Sequence, residues 1–121
     1  YGDTKKTHRE AKKATKVANA MKKEGWQFAS HSWGHINMTT ASVDDIKKDT
    51  ALWQKEVQPI VGKTPVLIFP FGADIGSFTN YTNDNAKYTY LKSSGFSIFD
   101  NVDASQTSWG QLTNDYYRIR G

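Results

Sequence analysis

The chain alternates between segments with helical periodicity and short apolar segments, and this alternation most restricts its fold. Residues 4–24 and a segment that begins at Ser42 carry apolar residues at helical spacing. The segments 26–30, 65–69 and 97–100 are short, apolar and typical of buried strands. Because strands separated by helices pair in parallel through helical crossovers, we predict an α/β fold.

Local signals indicate where the elements begin. Ser42 opens a Ser-x-x-Asp sequence typical of a helix N-cap, and Asp44 and Asp45 fall in the first turn, where acidic residues favour the helix dipole. A further helix is predicted within 83–96, and residues 115–121 have the pattern of a strand. Asp44 and Asp45 are therefore interpreted as capping residues.

Length and composition predict a single domain over residues 1–121, with no apolar run near the ~20 residues that span a bilayer. Because the chain has no cysteine, disulfides and thiolate metal sites are excluded, and any metal must be held by imidazole or carboxylate groups. Tyr1 is not a natural start, so we expect that an upstream segment is missing.

The net charge of +4 is concentrated at the start of the chain. Basic residues recur there at helical spacing: Lys5, Lys6, Arg9, Lys12, Lys13, Lys16 and Lys23. The opposite, inward face is predicted to carry the apolar residues Ala11, Ala14, Val17, Ala18 and Met21. This pattern is typical of the solvated face of an amphipathic helix. The alternative is a landing patch for an anionic polymer, although we predict no nucleic-acid partner.

Two groups of chemically distinctive residues follow predicted strands. The sequence HSWGH begins at His31, after the segment 26–30, and PFGAD begins at Pro70, after 65–69. In α/β folds the functional site lies beyond the carboxyl ends of the strands. We therefore expect both groups at one edge of the sheet.

The two histidines four residues apart could converge on one metal ion. Gly34 argues against a regular helix here, and Ser32 stands where the HExxH metallopeptidase motif has glutamate, so a peptidase is disfavoured. The spacing alone favours a different interpretation, in which His31 bonds the backbone at a strand end and His35 is solvated. Both interpretations remain open on the spacing.

The sequence FASHSWGH is followed by a predicted helix and then by GKTPVLIFPFGAD. This order resembles that of the polysaccharide deacetylases, metal-dependent carbohydrate esterases that remove acetyl groups from glycans. His31, Ser32 and His35 satisfy the second family motif, H-[ST]-x-x-H. The resemblance covers about residues 5–100 and implies that Ser32 supports the histidines by hydrogen bonding.

The third family motif, Arg-x-Pro-[Tyr/Phe] followed by Gly, is matched in part by Pro70, Phe71 and Gly72. Its arginine falls at Ile68, so the usual partner of the catalytic aspartate is missing. Asp74 lies just beyond the motif and is interpreted as a loop-capping residue near the rim of the site.

The resemblance implies a divalent metal, zinc first, that is held by His31, His35 and an aspartate and activates water for attack on the acetyl carbonyl. It also implies that the backbone N–H of Phe71 stabilises the oxyanion. Trp33, Pro70 and Phe71 would contact substrate, although ordinary packing under a loop explains Trp33 and Phe71 equally well.

Several family features are not found in the sequence. We expect the Asp-Asp motif, which supplies the third ligand and the base, before Tyr1, and the late catalytic histidine after Gly121. His8 is too early to replace that histidine and is interpreted as a surface residue. The resemblance thus predicts part of a deformed (β/α) barrel, inactive alone, whose exposed edges are covered by the missing barrel segments or by another chain.

The predicted function is metal-dependent removal of acetyl groups from N- or O-acetylated polysaccharide such as peptidoglycan or a chitin-like glycan. The parent protein is expected outside a bacterial cell or on its surface. The alternative is a non-catalytic module that binds glycan or an anionic cell-wall polymer through Trp33, Phe71 and the basic helix.

Overall fold

A computed structural model describes residues 4–76, 79–101 and 109–120. Its helices are α1 (Thr4–Lys23), α2 (Val43–Glu56), α3 (Gln58–Val61) and α4 (Ala86–Ser93). Its strands are β1 (Val66–Ile68), β2 (Ile98–Asn101), β3 (Trp109–Leu112) and β4 (Tyr117–Arg120), and a single 3-10 turn covers Pro70–Gly72.

The four strands form one mixed sheet in the order β1-β2-β4-β3. The pairs β1–β2 and β2–β4 are parallel, which confirms the predicted α/β fold, whereas β3 pairs with β4 in the antiparallel direction. A tight turn after Thr113 joins β3 and β4, and the Thr113 N–H donates to the Tyr116 carbonyl oxygen across it at 3.0 Å. The predicted strand within 115–121 is thus confirmed as β4.

The predicted strand at 26–30 is wrong over most of its length. Only Ser30 pairs with the sheet, through a parallel bridge to Leu67 of β1. The Trp26 N–H instead bonds the Met21 carbonyl oxygen at 3.0 Å, at the end of α1, and the Trp26 side chain is 60% exposed. The first residues after α1 therefore cap that helix, and the chain joins the sheet only at Ser30.

Helix starts follow the capping signals. The Ser42 hydroxyl oxygen accepts a hydrogen bond from the Asp45 N–H at 3.1 Å, which confirms the predicted N-cap of α2. Helix α4 begins later than the predicted range 83–96 because the Asn85 side chain caps it through the Tyr88 N–H at 3.1 Å.

The core lies where α2 and α4 pack on the sheet. Its buried apolar members are Met38, Ile46, Trp53, Leu67, Phe69, Ile75, Tyr81, Tyr88, Leu91, Phe96, Phe99 and Tyr116. Helix α1 packs against α3 instead and, among its described side chains, buries only Ala18.

The basic residues of α1 lie on a solvated surface. Arg9, Lys12, Lys13, Lys16 and Lys23 are exposed, as predicted for an amphipathic helix, and the side chains of Lys5 and Lys6 lie outside the described ones. Val17, predicted to face inward, is also exposed because α1 contacts the body of the protein along a narrow stripe. No helix in the described part of the chain has the length and apolar character needed to cross a bilayer.

Candidate metal centre and the loops that form it

Two loops meet at one edge of the sheet. Ser30 and β1 run in parallel, and the Ile68 N–H bonds the Ser30 carbonyl oxygen at 2.8 Å, so both backbones leave the sheet side by side. The histidine loop, residues 31–35, follows Ser30, and the turn Pro70–Gly72 follows β1. The predicted placement of HSWGH and PFGAD at a shared edge is confirmed.

Three rings form a continuous cluster at this edge. The ring centroids of His31 and His35 are 4.8 Å apart, and those of His35 and Phe71 are 4.6 Å apart, both edge to face. All three side chains are exposed, so a ligand from solvent could reach them.

A backbone hydrogen bond orients the His31 ring. Its Nδ1 lies 2.9 Å from the Ile68 carbonyl oxygen, and because a carbonyl can only accept, Nδ1 carries the proton. Nε2 then keeps its lone pair for a ligand, the arrangement that metal-binding histidines usually have. The two interpretations of His31, a backbone contact or a ligand, are therefore compatible with each other.

The described residues supply no third ligand. Within residues 4–76, 79–101 and 109–120, no three His, Cys, Asp or Glu side chains are grouped so that they could hold a metal ion. Asp49 of α2 and Asp74, which follows the turn Pro70–Gly72, are acidic, but both are buried and bonded to other groups.

Polar side chains fix the histidine loop. The Asp49 carboxylate of α2 accepts hydrogen bonds from the N–H groups of Trp33 (2.9 Å) and Gly34 (2.7 Å). The Ser32 hydroxyl oxygen accepts from the Ile36 N–H at 3.2 Å, so Ser32 holds the loop backbone next to His35. Sequence reasoning missed Asp49, since nothing in the spacing of α2 indicates which loop the helix faces.

The Trp33 indole is partly exposed to solvent and is hydrogen-bonded to another side chain of the protein. Its side chain is 41% exposed, and its Nε1–H donates to Glu56 Oε2 at 3.0 Å. An open groove next to it is lined in part by His35, Asn37 and Asp45. The indole therefore has a fixed plane beside the histidines.

The turn after β1 presents Phe71 and buries Pro70. Pro70 is fully buried, so its ring supports the turn and offers no surface to a substrate. Phe71 is 70% exposed and has left-handed backbone angles, φ 60° and ψ 10°. The Gly72 and Ala73 N–H groups bond Phe69 and Pro70 carbonyl oxygens, whereas the Phe71 N–H has no acceptor among the described residues.

Asp74, just after this turn, links it to strand β4. It accepts from the Gly76 N–H at 3.2 Å, as predicted for a loop-capping residue, and also from the Tyr81 hydroxyl and the Asn101 side chain. In addition it forms a buried ion pair with Arg118 of β4, at 2.8 Å. This ion pair was not predicted.

One protein family matches most of the chain. A family model described as polysaccharide deacetylase matches residues 5–93, which include both loops of the site. The chain belongs to the polysaccharide deacetylase family. No curated protein and no solved structure matches it significantly.

In this polysaccharide deacetylase chain, Ile68 of β1 stands at the position where the third motif named above has arginine. Ile68 is half-buried in β1, and its carbonyl oxygen, not its side chain, contacts the site through His31. The described Arg118 side chain forms an ion pair with Asp74. The described part of the chain thus departs from the family motif at that position.

The left-handed backbone of Phe71 leads to a stability prediction. Glycine adopts these angles without strain, whereas a β-branched residue does so at a cost of about 1–3 kcal/mol. We expect Phe71→Val to be less stable than Phe71→Gly by about 1–2 kcal/mol in urea unfolding, since both lose the same ring. Equal stability of the two variants would contradict the left-handed turn.

Burial also predicts how stability depends on pH. Burial, and next the neighbouring Asp74 charge, raise the pKa of Tyr81 far above its ordinary value of 10.0. Burial also raises the pKa of Tyr88. Because the unfolded chain then loses these protons first, the free energy of unfolding should fall as the pH rises above about 10. The measurement is urea unfolding at pH 8 to 11, and Tyr81→Phe should flatten the decline; a decline of unchanged slope would contradict the assignment.

Proposed function

We propose that the chain is part of a metal-dependent enzyme that removes acetyl groups from N- or O-acetylated polysaccharide, such as peptidoglycan or a chitin-like glycan. The observation that carries this proposal is the pair of histidine rings 4.8 Å apart beside Phe71, with His31 oriented by a backbone carbonyl. Membership of the polysaccharide deacetylase family supports the type of reaction.

His31 and His35 would hold a divalent ion, with zinc as the first choice for imidazole ligands. The third ligand is proposed to come from an Asp-Asp motif encoded before Tyr1. When bound, the metal polarises the acetyl carbonyl and lowers the pKa of water at the site. Nδ1–H of His31 donates to the Ile68 carbonyl oxygen, which leaves Nε2 as the ligand atom.

The Phe71 N–H is proposed as the oxyanion donor. Its donor is without an acceptor among the described residues and is held in place by the left-handed turn above the buried Pro70. A donor fixed in advance stabilises developing negative charge without reorganisation during the reaction.

Trp33 and Phe71 are proposed to contact the sugar rings. Both expose aromatic surface next to the histidines, and the indole plane of Trp33 is held by Glu56. Pro70 contributes as the buried residue at the start of the turn that presents Phe71.

The sheet is proposed to be one part of a deformed (β/α) barrel. Leu112 on the edge strand β3 is 82% exposed, which favours a covering surface supplied by other barrel segments or by another chain. Since acetylated glycans of this class lie in the cell wall, we propose an extracellular or cell-surface location in a bacterium.

A second candidate is a binding module without catalysis. It is favoured by the missing third ligand among the described residues and by the exposed basic residues of α1. Such a module would bind glycan or an anionic polymer through Trp33, Phe71 and α1.

The deciding experiment measures acetate release from acetylated chito-oligosaccharides and from acetylated peptidoglycan, with and without added zinc. It should use both residues 1–121 and a longer protein that includes the encoded residues before Tyr1. We expect release only from the longer protein with zinc. Glycan binding by both proteins without acetate release would favour the binding module.

A further inference from the structure

The backbone of the histidine loop depends almost entirely on side-chain acceptors. The N–H groups of residues 32, 33, 34 and 36 donate to Ser30 Oγ, Asp49 Oδ2, Asp49 Oδ1 and Ser32 Oγ. Ser30 directly precedes the loop and Ser32 lies within it, so of these three acceptor residues Asp49 is the one that ties the loop to a helix, α2.

Asp49 acts between two strained residues. Ser32 and His35 both have left-handed backbones, with φ of 61° and 52°. Such conformations in residues other than glycine persist only where the surroundings enforce them. The two N–H groups that Asp49 binds belong to Trp33 and Gly34, the residues that separate these strained positions.

The contact requires both a carboxylate and a small residue. Two adjacent N–H groups need two acceptor oxygens on one side chain, which a carboxylate offers and an amide does not. A Cβ atom at Gly34 would lie 3.3 Å from Asp49 Oδ1, so a larger residue would crowd the carboxylate. Gly34 therefore allows the close approach of α2 to the loop.

The charge of Asp49 has no cationic partner among the described residues. The side chain is buried, and no Lys, Arg or His in the described part of the chain forms an ion pair with it. A buried carboxylate without a cation is costly to retain. A divalent cation at His31 and His35 would supply the missing positive charge nearby.

We infer that Asp49 is a positioning residue that sets the separation of His31 and His35 and thereby the affinity of the pair for a divalent cation. This inference rests on the proposed function for the identity of the cation. The orientation of the loop by Asp49, in contrast, is a property of the metal-free protein.

The test compares Asp49→Asn with Asp45→Asn. Both lie on α2 and lose one negative charge, but Asp45 is exposed and does not contact the loop backbone. Loss of a residue that orients a ligand typically lowers metal affinity about 10–100-fold. We expect Asp49→Asn to weaken zinc and Co²⁺ binding at least about tenfold in calorimetric titration, and Asp45→Asn to change it less than about threefold.

A second measurement on the metal-free protein separates this inference from the proposed function. Nitrogen-15 NMR should show the Nδ1-protonated form of His31 and the amide signals of Trp33 and Gly34 in the wild type and in Asp45→Asn. In a folded Asp49→Asn variant, both signatures should change. If they change but no protein binds zinc, the metal proposal fails and the positioning role stands. If the folded Asp49→Asn variant keeps both signatures and the wild-type affinity, Asp49 has a structural role only and the inference is overturned.

Discussion

Arg118→Met should destabilise the protein by about 3–5 kcal/mol, because it leaves the buried Asp74 carboxylate without its cation. The Arg118 side chain is completely buried, and its Nε and Nη2 atoms lie 2.9 and 2.8 Å from Asp74 Oδ2. The same guanidinium bonds the carbonyl oxygens of Thr79 and Gly76 and lies over the Tyr81 ring at 4.3 Å. Since small domains have about 5–15 kcal/mol of stability in total, the loss would be visible in urea unfolding.

Two control variants test whether the loss of stability comes from the buried ion pair. Arg9→Met removes the same group from the exposed face of α1 and should change stability by no more than about 0.5 kcal/mol. The double variant Asp74→Asn, Arg118→Met should be less destabilised than the sum of its single variants, since both charges are then gone. A loss below about 1 kcal/mol for Arg118→Met would contradict the buried pair.

The edge at which the site lies could be predicted because it follows from local pattern. Helical segments between short apolar ones require parallel strands, and parallel strands place the residues after Ser30 and after Ile68 at one edge. The approach of His31, His35 and Phe71 is a consequence of that topology.

The contacts that hold the site could not be predicted in the same way. Asp74 was interpreted through its local contact with Gly76, which is present, but its partner Arg118 is 44 residues away in the chain. Along β4 and the residue before it, alternation buries Tyr116 and Arg118 and leaves Tyr117 exposed, which is unusual for a charged residue such as Arg118. A buried arginine is stable only because a carboxylate distant in the sequence forms an ion pair with it. The periodicity of a single sequence carries no information about that partner.

The same limit applies to Asp49 and to the start of the sheet. Helix α2 was recognised from its cap and periodicity, yet the loop that Asp49 binds depends on how the helix packs. Residues 26–30 have the composition of a strand, but the Trp26 N–H closes the end of α1 instead, so a local helix-capping contact outweighs the strand preference of these residues.

The histidine pair provides the prediction with the largest effect on the proposed chemistry. His31 has an ordinary backbone, so His31→Ala removes only the imidazole and its bond to Ile68. His35 has φ 52°, and asparagine tolerates this left-handed conformation better than most residues. His35→Asn therefore removes the ring while it keeps the loop backbone.

Both substitutions should lower zinc affinity by more than about 100-fold, since the loss of a residue that merely orients a ligand already costs 10–100-fold. They should also abolish zinc-dependent acetate release by the longer protein. His8→Ala is the matched control, because His8 is an exposed histidine of α1 away from the loop sequence, and its affinity should equal that of the wild type. Calorimetric titration on folded variants, checked by circular dichroism, makes the comparison. Zinc binding that survives both His31→Ala and His35→Asn would place the metal elsewhere, whereas its loss in those two alone follows from one ion held between the two rings.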